Sequence, residues 1–581
     1  MSGHPLVGSL LGLLALAGCA REEGPRVTVS SPPRGSADLA LDAGPWPAAR
    51  QSLAHAITPE SIAAPTRFLS DDLLEGRGPG ARGDALAIAY IATELQGLGL
   101  TPGGPSGSYL QAVPLVRLKA NVPSTVTFTG AGRGRATAQV TLNVPDDFVA
   151  MSGVQKPGIE IAGSELVFVG YGIVAPEYQW DDYKDVDVRG KTVVVMNNDP
   201  ENDPQLFAGR TRLWYGRWDY KYLEAARHGA VGAIIIHTTH SAGYPWQVVS
   251  TSNAHEKFEL PAGGEPRLLA KMWATEDATR KILSLSTGGG AGGVSPNLDD
   301  LRAGAETRAF RPKPLGSTLS LAFTTTMTSL SSSNVLGVLP GTDAELAKEA
   351  VVFTAHHDHL GIGAAKNGDS IYNGAIDNAS GVGALLAIAR AASLSPRARR
   401  SMLFIAVTAE EQGLLGSEYY CEHPTFAPGR IAADVNIDGV NVDGRTTDVA
   451  FVGLGKSSLD DVVRTFAARQ GRTLHGDAYP DRGSFYRSDQ FSFAKIGVPS
   501  IYISGGPGFV GRPAGWGEER VVDYETSRYH QPSDEYDPRW DWSGAVEDAE
   551  LLLESALAIA NADALPAWRP GDEFAKVARP R

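Results

Sequence analysis

From about residue 317 to the end of the chain, short apolar runs alternate with amphipathic segments. The runs AVVFTA, SMLFIAV, DVNID and PSIYIS have the length and apolar content of buried strands. Amphipathic segments predict helices that begin near Ser380, Ser458 and Gly544. Strands that alternate with helices in this way predict an α/β fold, with a mainly parallel mixed sheet sandwiched by helices.

The pattern differs in the first half of the chain. The segment DALAIAYIATELQGLGL, from Asp84, predicts a helix with one apolar stripe that stops at Gly99. Between about 137 and 312, short β-like runs such as ELVFVGYGI and GKTVVVMNN surround one helix, YLEAARHGA. We interpret residues 137–316 as an inserted β-rich domain, which divides the α/β domain into an N-terminal part (51–136) and a main part (317–581).

Composition narrows the class of protein. With 581 residues, 43% hydrophobic and 20% charged, the chain is ordinary globular material for two or three domains. The net charge of −14 argues against nucleic acid as a partner, because phosphate binding requires clustered Lys and Arg.

The N-terminus carries an export signal. The apolar stretch from Leu6 to Leu16 is too short to span a bilayer and is followed by Ala17-Gly18-Cys19, which resembles a bacterial lipoprotein signal over residues 1–19. An ordinary cleaved secretory signal is the alternative. We expect an exported protein anchored to the membrane only through a lipid on Cys19, facing the periplasm or cell exterior, with residues 20–50 as a flexible tether. The other cysteine, Cys421, is interpreted as a structural thiol.

Residues able to bind metal or move protons follow the predicted strands. Carboxyl ends of strands gather at one edge of an open α/β sheet, where sites form. Several carboxylates that converge there are unfavourable unless cations compensate them, so we predict a metal pair. The candidates are His356 and Asp358 after AVVFTA, Asp377 before a helix, Glu410 and Glu411 after SMLFIAV, Asp438 at the end of DVNID, and Tyr529 and His530 in a late polar loop.

Taken together, these motifs resemble the co-catalytic zinc aminopeptidases of the transferrin-receptor-like peptidase family, over about 50–135 and 317–560. The stretch GYGIVAPEYQWDDYKDVDVRGK looks like the protease-associated domain of many members. The resemblance implies that His356, Asp377 and Asp438 hold one zinc ion and that Asp377, Glu411 and His530 hold another. Asp377 would bridge the two ions.

The resemblance also implies the roles of the remaining candidates. Glu410 would act as general base toward a metal-activated water, and Tyr529 would stabilise the oxyanion. Asp358 would orient the imidazole of His356. A cis peptide bond is implied between Asp377 and Asn378.

Other histidines receive a structural interpretation. His357 and His359 flank the predicted ligand His356 and are interpreted as polar lining of the site. Solvated or hydrogen-bonded side chains are expected for His228, His237, His240, His255 and His475.

The leading functional prediction is an exported zinc metallo-exopeptidase that removes N-terminal residues from peptides. A carboxypeptidase on the same scaffold is the alternative, and it requires Arg or Lys to bind a terminal carboxylate; the candidates are Arg482, Arg487, Arg512 and Arg528. Glutaminyl cyclisation is a third option. A non-catalytic, receptor-like binding module is the alternative from another class.

Overall fold

The computed structural model describes residues 56–131, 137–254, 256–286 and 296–581. The predicted signal, tether and lipidation site at Cys19 lie outside these residues. Within the described ranges, no helix is both long enough and apolar enough to cross a bilayer. The helices are α1 Pro59–Leu69, α2 Arg82–Gly97, α3 Trp218–Arg227, α4 Thr239–Ala242, α5 Trp246–Ala254, α6 Glu276–Leu283, α7 Leu298–Ala305, α8 Gly381–Leu394, α9 Leu415–Glu422, α10 Leu459–Arg469, α11 Gln490–Lys495, α12 Trp516–Ser527 and α13 Ser543–Asn561.

Most of the strands belong to one hydrogen-bonded network, and two short hairpins, β7–β8 and β15–β16, stand apart from it. The strands are β1 Thr101–Pro102, β2 Leu110–Asn121, β3 Thr125–Ala131, β4 Thr137–Asn143, β5 Phe148–Ser152, β6 Gly158–Phe168, β7 Val174–Ala175, β8 Trp180–Asp181, β9 Thr192–Met196, β10 Gly232–His237, β11 Lys257–Glu259, β12 Ala270–Thr275, β13 Lys313–Leu339, β14 Ala350–His356, β15 Gly361–Lys366, β16 Asp369–Tyr372, β17 Ser401–Val407, β18 Ile431–Asn436, β19 Asp448–Phe451, β20 Thr473–Gly476 and β21 Ser500–Gly505.

Four parallel strands form the centre of the sheet in the second half of the chain. β14 pairs with β17 on one side and with β18 on the other, and β18 pairs with β21, all in parallel. β13 flanks β17 and β19 flanks β21, both antiparallel. The prediction of a mixed, mainly parallel sheet is confirmed, as are the four strands and three helices predicted for this part of the chain.

Helices cover both faces of this sheet. On one face, Tyr420 of α9 and Phe493 of α11 join Leu403 of β17 in a buried cluster. Because side chains alternate along a strand, Phe353 and Phe404 point to the opposite face, where their rings stack at 4.8 Å between centroids. There α8 packs on β14, and α1 and α13 pack on α8.

A glycine in α8 permits its close contact with α1. The sequence of α8, GVGALLAIARAASL, is apolar on nearly all sides, which is typical of a fully buried helix. A Cβ atom at Gly383 would lie 2.6 Å from the carbonyl oxygen of Ile62, closer than real Cβ contacts. The absence of a side chain therefore sets the spacing of the two helices.

The segment predicted as an inserted domain has its own buried clusters. β6, β9, β10 and β12 pair in parallel, and β5 lies antiparallel to β12. Tyr222 and Ala225 of α3 pack against Ile235 on one face, and Ile282 of α6 packs against Ile234 on the other.

One strand belongs to both parts of the chain. β13 is 27 residues long, and its first part pairs with β3 and β6 of the predicted inserted segment. Its last part pairs with β17 of the parallel sheet. The predicted boundary between 316 and 317 falls within this strand, and the division into domains stays a prediction.

Replacing Phe404 with alanine is expected to lower the free energy of unfolding by about 3–5 kcal/mol, because it leaves a cavity beside Phe353. Chemical denaturation measures this change. Leu394→Ala is the control, since Leu394 is 62% exposed, and we expect an effect below about 0.5 kcal/mol. Equal losses in the two variants would contradict the central position of Phe404.

Candidate metal centre

Three neighbouring strands end at the edge of the sheet where the candidate residues collect. β14 ends at His356, the turn after β17 carries Glu411, and Asp438 lies two residues beyond the end of β18. Asp377 precedes α8, and His530 follows α12. Since the three strands are parallel, their carboxyl ends meet, and all five predicted metal ligands lie close together.

His356, Asp377 and Asp438 form the first donor group. Nε2 of His356 lies 3.2 Å from Oδ1 of Asp377 and 3.2 Å from Oδ1 of Asp438. The imidazole is buried, whereas Asp438 is partly open to the cleft above the sheet. One imidazole nitrogen and two carboxylate oxygens at this spacing form a set that could hold a metal ion.

Asp377, Glu411 and two histidines form the second donor group. Nε2 of His530 lies 3.1 Å from Oε2 of Glu411 and 3.3 Å from Oδ2 of Asp377. Nδ1 of His359 lies 2.6 Å from Oε1 of Glu411, and the donor atoms of His359, Asp377 and Glu411 lie within 4.8 Å of one another. His359, predicted from the sequence to line the site, thus contacts the predicted ligand Glu411. The feature of the sequence that could have indicated this contact is the position of His359 three residues after His356.

Asp377 stands between the two donor groups. Its Oδ1 atom faces His356 and its Oδ2 atom faces His530. The peptide bond between Asp377 and Asn378 is cis, which confirms the expectation from the resemblance. A carboxylate in this position is able to contribute one oxygen to each of two cations.

Hydrogen bonds hold the loop of Asp377 from two sides. The side-chain amide of Asn378 donates to the carbonyl oxygen of Ile437, at 2.9 Å, next to Asp438. The buried carboxylate of Asp534 accepts a hydrogen bond from the backbone N–H of Asp377, at 3.1 Å. The loop that carries Asp377 is therefore attached both to the end of β18 and to the loop that carries His530.

The donor set fits zinc. Tetrahedral zinc with bonds of about 2.0–2.2 Å separates neighbouring donor atoms by about 3.3–3.6 Å, and the separations of 3.1 to 3.3 Å around His356 and His530 are close to this. Among the described residues, the carboxylates of Asp377, Glu411 and Asp438 form no ion pair with Lys or Arg. A bound cation would compensate their charge.

The pKa values of the adjacent residues Glu410 and Glu411 are shifted in opposite directions. Burial raises the pKa of Glu410 well above its usual range, and its Oε2 atom lies 4.0 Å from Nε2 of His356. Burial also acts to raise the pKa of Glu411, but the charge of His530 outweighs it and lowers this pKa to about 2. Neighbouring carboxyl groups whose pKa values are shifted apart are suited to different tasks, one as an ionised ligand and one as a proton acceptor.

Asp358 and Tyr529 border the donor groups. The Asp358 carboxylate accepts a hydrogen bond from the backbone N–H of Glu410, at 3.0 Å, and lies 3.8 Å from Nδ1 of His356. This Nδ1 atom is nearer to the Asp358 carbonyl oxygen, at 3.2 Å, so the implied hydrogen bond between imidazole and carboxylate is not formed. The Tyr529 ring stacks on His530 with 3.9 Å between centroids.

The other histidines singled out in the sequence have partners away from the donor groups where the structure describes them. His357 is buried, and its Nε2 atom lies 3.0 Å from the Asp84 carboxylate. His255 lies outside the described residues, and Cys421 is a buried free thiol. The remaining pairs are His228 with Glu224, His237 with Tyr244, His240 with Glu201 and His475 with Asp448.

A fully buried arginine, Arg77, lies beside the donor groups. Its guanidinium donates hydrogen bonds to the carbonyl oxygens of Leu69, His357, Asn373 and Gly374, at 2.5, 2.8, 2.6 and 3.0 Å. Three of these carbonyl groups lie near predicted ligands in the sequence. His357 directly follows His356, and Asn373 and Gly374 shortly precede Asp377. The role of Arg77 could not be predicted from the sequence, because every residue has a carbonyl oxygen and no side-chain pattern shows which of them Arg77 contacts.

The chain is similar in sequence and in fold to known proteins. Residues 334–555 match the sequence model of Peptidase family M28. Aminopeptidase YwaD of Bacillus subtilis (strain 168) is 26% identical over 305 residues, which cover 51% of this chain and 61% of that protein. Both donor groups and Glu410 lie within residues 334–555, the segment that matches the family model.

Solved structures are similar over most of the chain. The aminopeptidase from Aneurinibacillus sp. strain AM-1 is 19% identical with a TM-score of 0.48, and the match covers 91% of this chain and 98% of that one. The Peptidase M28 precursor from Shewanella amazonensis SB2B is 17% identical with a TM-score of 0.44, and the match covers 90% and 98% of the two chains.

Replacing Arg77 with methionine is expected to weaken zinc binding by about 10- to 100-fold, because the loops beside His356 and Asp377 lose their shared anchor. Zinc affinity is measured by competition with a chromophoric chelator. Denaturation is measured in parallel, since the freed carbonyl oxygens also destabilise the fold.

Arg400→Met is the matched control for this variant. Arg400 is also buried and donates to Glu349 and to the carbonyl oxygen of Ile559, but it precedes β17, at the opposite end of that strand from the donor groups. We expect lower stability with unchanged zinc affinity. The same loss of zinc affinity in both variants would show that Arg77 acts only through global stability.

Proposed function

We propose that the protein is an exported zinc-dependent aminopeptidase of the M28 peptidase family, which removes N-terminal residues from peptides, on the basis of the match of residues 334–555 to that family's sequence model. The observation that carries the proposal is the position of Asp377, whose two carboxylate oxygens face two separate groups of nitrogen and oxygen donors. A single structural ion would not need a carboxylate in that place.

In the proposed site, His356, Asp377 and Asp438 would hold one zinc ion, and Asp377, Glu411 and His530 would hold the other. Zinc at these positions would polarise the scissile carbonyl group and lower the pKa of water. His359 positions Glu411 through the contact of 2.6 Å between Nδ1 and Oε1.

Glu410 is the proposed general base. It takes a proton from the attacking water molecule and passes it to the nitrogen of the leaving amine. Burial raises the pKa of Glu410, and a raised pKa is typical of a carboxyl group that exchanges protons rather than one that stays ionised as a ligand. The Tyr529 hydroxyl donates to the oxygen of the carbonyl group as negative charge develops there.

A deep cleft gives peptides access to this edge of the sheet. Its volume is about 2540 Å³, and its walls include Trp214, Tyr222 and Trp273 of the predicted inserted domain as well as Glu410 and Tyr529. We propose that the inserted segment limits the size of the peptides that reach the donor groups, in the manner expected of a protease-associated domain.

The proposal of an aminopeptidase over a carboxypeptidase draws on the sequence similarity to Aminopeptidase YwaD of Bacillus subtilis. The complete set of donors and base argues against a non-catalytic binding module. Export and anchoring through a lipid on Cys19 rest on the signal at residues 1–19.

Glu410→Gln is expected to lower kcat by at least about 100-fold while zinc stays bound, because the variant keeps the ligands and loses the proton acceptor. Release of p-nitroaniline from leucine p-nitroanilide measures the rate, and elemental analysis of the purified protein measures zinc. A rate within a few-fold of the unmodified protein would exclude Glu410 as the base.

His530→Ala, by contrast, is expected to lose zinc together with activity, since the second donor group loses a nitrogen ligand. The same two assays apply. A variant that retained the full zinc content of the unmodified protein would remove His530 from the proposed ligand set.

Incubation with a chelator should abolish hydrolysis of the anilide, and added zinc should restore it, because the ligands persist without the metal. Activity that survives removal of all bound metal, as verified by elemental analysis, would contradict the proposed metallopeptidase.

A further inference from the structure

A β-hairpin lies between two of the segments that carry predicted ligands. β15 begins at Gly361, two residues after His359, and β16 ends at Tyr372, five residues before Asp377. Among the described residues, these two strands pair only with each other. The hairpin is therefore a separate projection beside the metal centre.

β15, rather than β16, borders the cleft. Of the described residues, those from Gly361 to Ala364 and Lys366 of β15 line the cleft, whereas β16 contributes only Tyr372. Every residue of β15 after Gly361 is exposed. Since β16 occupies one edge of β15, the other edge has no partner strand in the described part of the chain. An unpaired strand edge offers backbone N–H and C=O groups to another chain, and this one belongs to the wall of the cleft.

A bulge increases the number of available backbone groups. Regular pairing with β16 stops after Ile362, which lies opposite Ile371, and resumes where Lys366 lies opposite Asp369. The three residues of β15 between these pairs, 363–365, therefore face a single residue of β16. Extra residues in a bulge have no ladder partner, so most of their N–H and C=O groups remain available for a ligand.

The side chains of the bulge are small, with glycine at 363 and alanine at 364 and 365. Such residues permit the close approach of a second backbone. The buried Tyr372 supports the bulge: its hydroxyl donates to the carbonyl oxygen of Ala364, at 3.0 Å, and a Cβ atom at Gly363 would lie 2.7 Å from its ring. Tyr372 thus fixes the conformation of the bulge while its residues stay exposed.

Both ends of the hairpin are held in place. At its base, a Cβ atom at Gly76 would lie 2.5 Å from the carbonyl oxygen of Tyr372 and 2.6 Å from that of Gly361, so the backbones are in direct contact. Near its tip, Nζ of Lys366 donates to Oε1 of Gln531, which directly follows a predicted ligand. A strand edge fixed at both ends loses little conformational entropy when it binds a ligand.

We propose that the unpaired edge of β15, from Ile362 to Ala365, binds the residues of a peptide that follow the scissile bond, as an additional strand. The inference rests on the proposed function, since its ligand is a peptide substrate. A substrate of an aminopeptidase has only one residue before the scissile bond, so a strand-like site can hold only the residues after it. Recognition through the main chain provides affinity that depends on peptide length more than on side chains.

The first test changes the peptide and leaves the protein unmodified. The parent peptide is Leu-Ala-Ala-Ala-Ala, and in three analogues lactic acid replaces alanine at the third, fourth or fifth position. In each analogue an ester oxygen takes the place of one backbone N–H group. Mass spectrometry confirms cleavage of the first bond, and the release of leucine gives kcat/KM.

Successive N–H groups of an extended peptide point to opposite edges, so the effect of the ester should alternate along the peptide. We expect kcat/KM to fall by about 3- to 10-fold at alternate positions, as the loss of one hydrogen bond predicts, and by less than about 2-fold between them. Equal kcat/KM for all four peptides, or an equal loss at all three positions, would overturn the strand-like site.

Two variants test the same site from the protein side. Ala364→Pro and Ala365→Pro each remove one N–H group from the bulge. Their readout is the ratio of kcat/KM for the pentapeptide to kcat/KM for the dipeptide Leu-Ala, so that a general change in activity cancels. Ser370→Pro is the matched control, because Ser370 belongs to the same hairpin but lies in β16, outside the residues that line the cleft.

We expect this ratio to fall by about 3-fold or more in at least one of the two alanine variants, and to stay at the value of the unmodified protein in Ser370→Pro. The same ratio in the unmodified protein and in both alanine variants would overturn the proposed site.

A binding measurement separates this inference from the proposed function. Calorimetric titration of zinc-loaded Glu410→Gln with the four peptides measures affinity without turnover. If the unmodified protein cleaves no peptide but the affinities alternate with the position of the ester, the strand-like site stands and the peptidase proposal falls. Equal affinities for the four peptides would overturn the site even in an active peptidase.

Discussion

Repulsion among carboxylates is the constraint on which the candidate centre depends. The parallel register of β17, β14 and β18 brings Glu410, Glu411 and Asp438 to one edge of the sheet, and the loop before α8 adds Asp377. Histidines, rather than Lys or Arg, lie between them. Such an arrangement suits bound cations. The fold holds the carboxylates close together, and the positive charge of the ions would offset the repulsion between them.

The surrounding polypeptide positions these side chains through hydrogen bonds to backbone groups. Arg77 fastens four carbonyl oxygens, Asp534 accepts the N–H of Asp377, and Asn378 reaches the carbonyl oxygen beside Asp438. Two of these anchors come from distant parts of the chain, since Arg77 precedes β1 and Asp534 follows α12. Ligand positions are thus fixed by the whole α/β part of the fold rather than by any one loop.

The parallel sheet and most of the centre could be predicted from the sequence, because each apolar run shows where a buried strand ends and which polar residues follow it. AVVFTA leads to His356 and SMLFIAV leads to Glu410 without knowledge of the rest of the chain. Partners that depend on tertiary distance could not be predicted in this way. The sequence does not separate His359 from residues that line the site, because only the fold brings its imidazole next to Glu411.

The long strand β13 also shapes how the chain can fold. Its pairing with β2 joins Thr324 to Asn121, about 200 residues apart, so this contact requires the closure of a very long loop. During synthesis, β2 lacks its neighbour until the intervening segment has left the ribosome. High contact order of this kind slows folding. The parallel sheet in turn cannot be completed until β21, at Ser500–Gly505, has been synthesised.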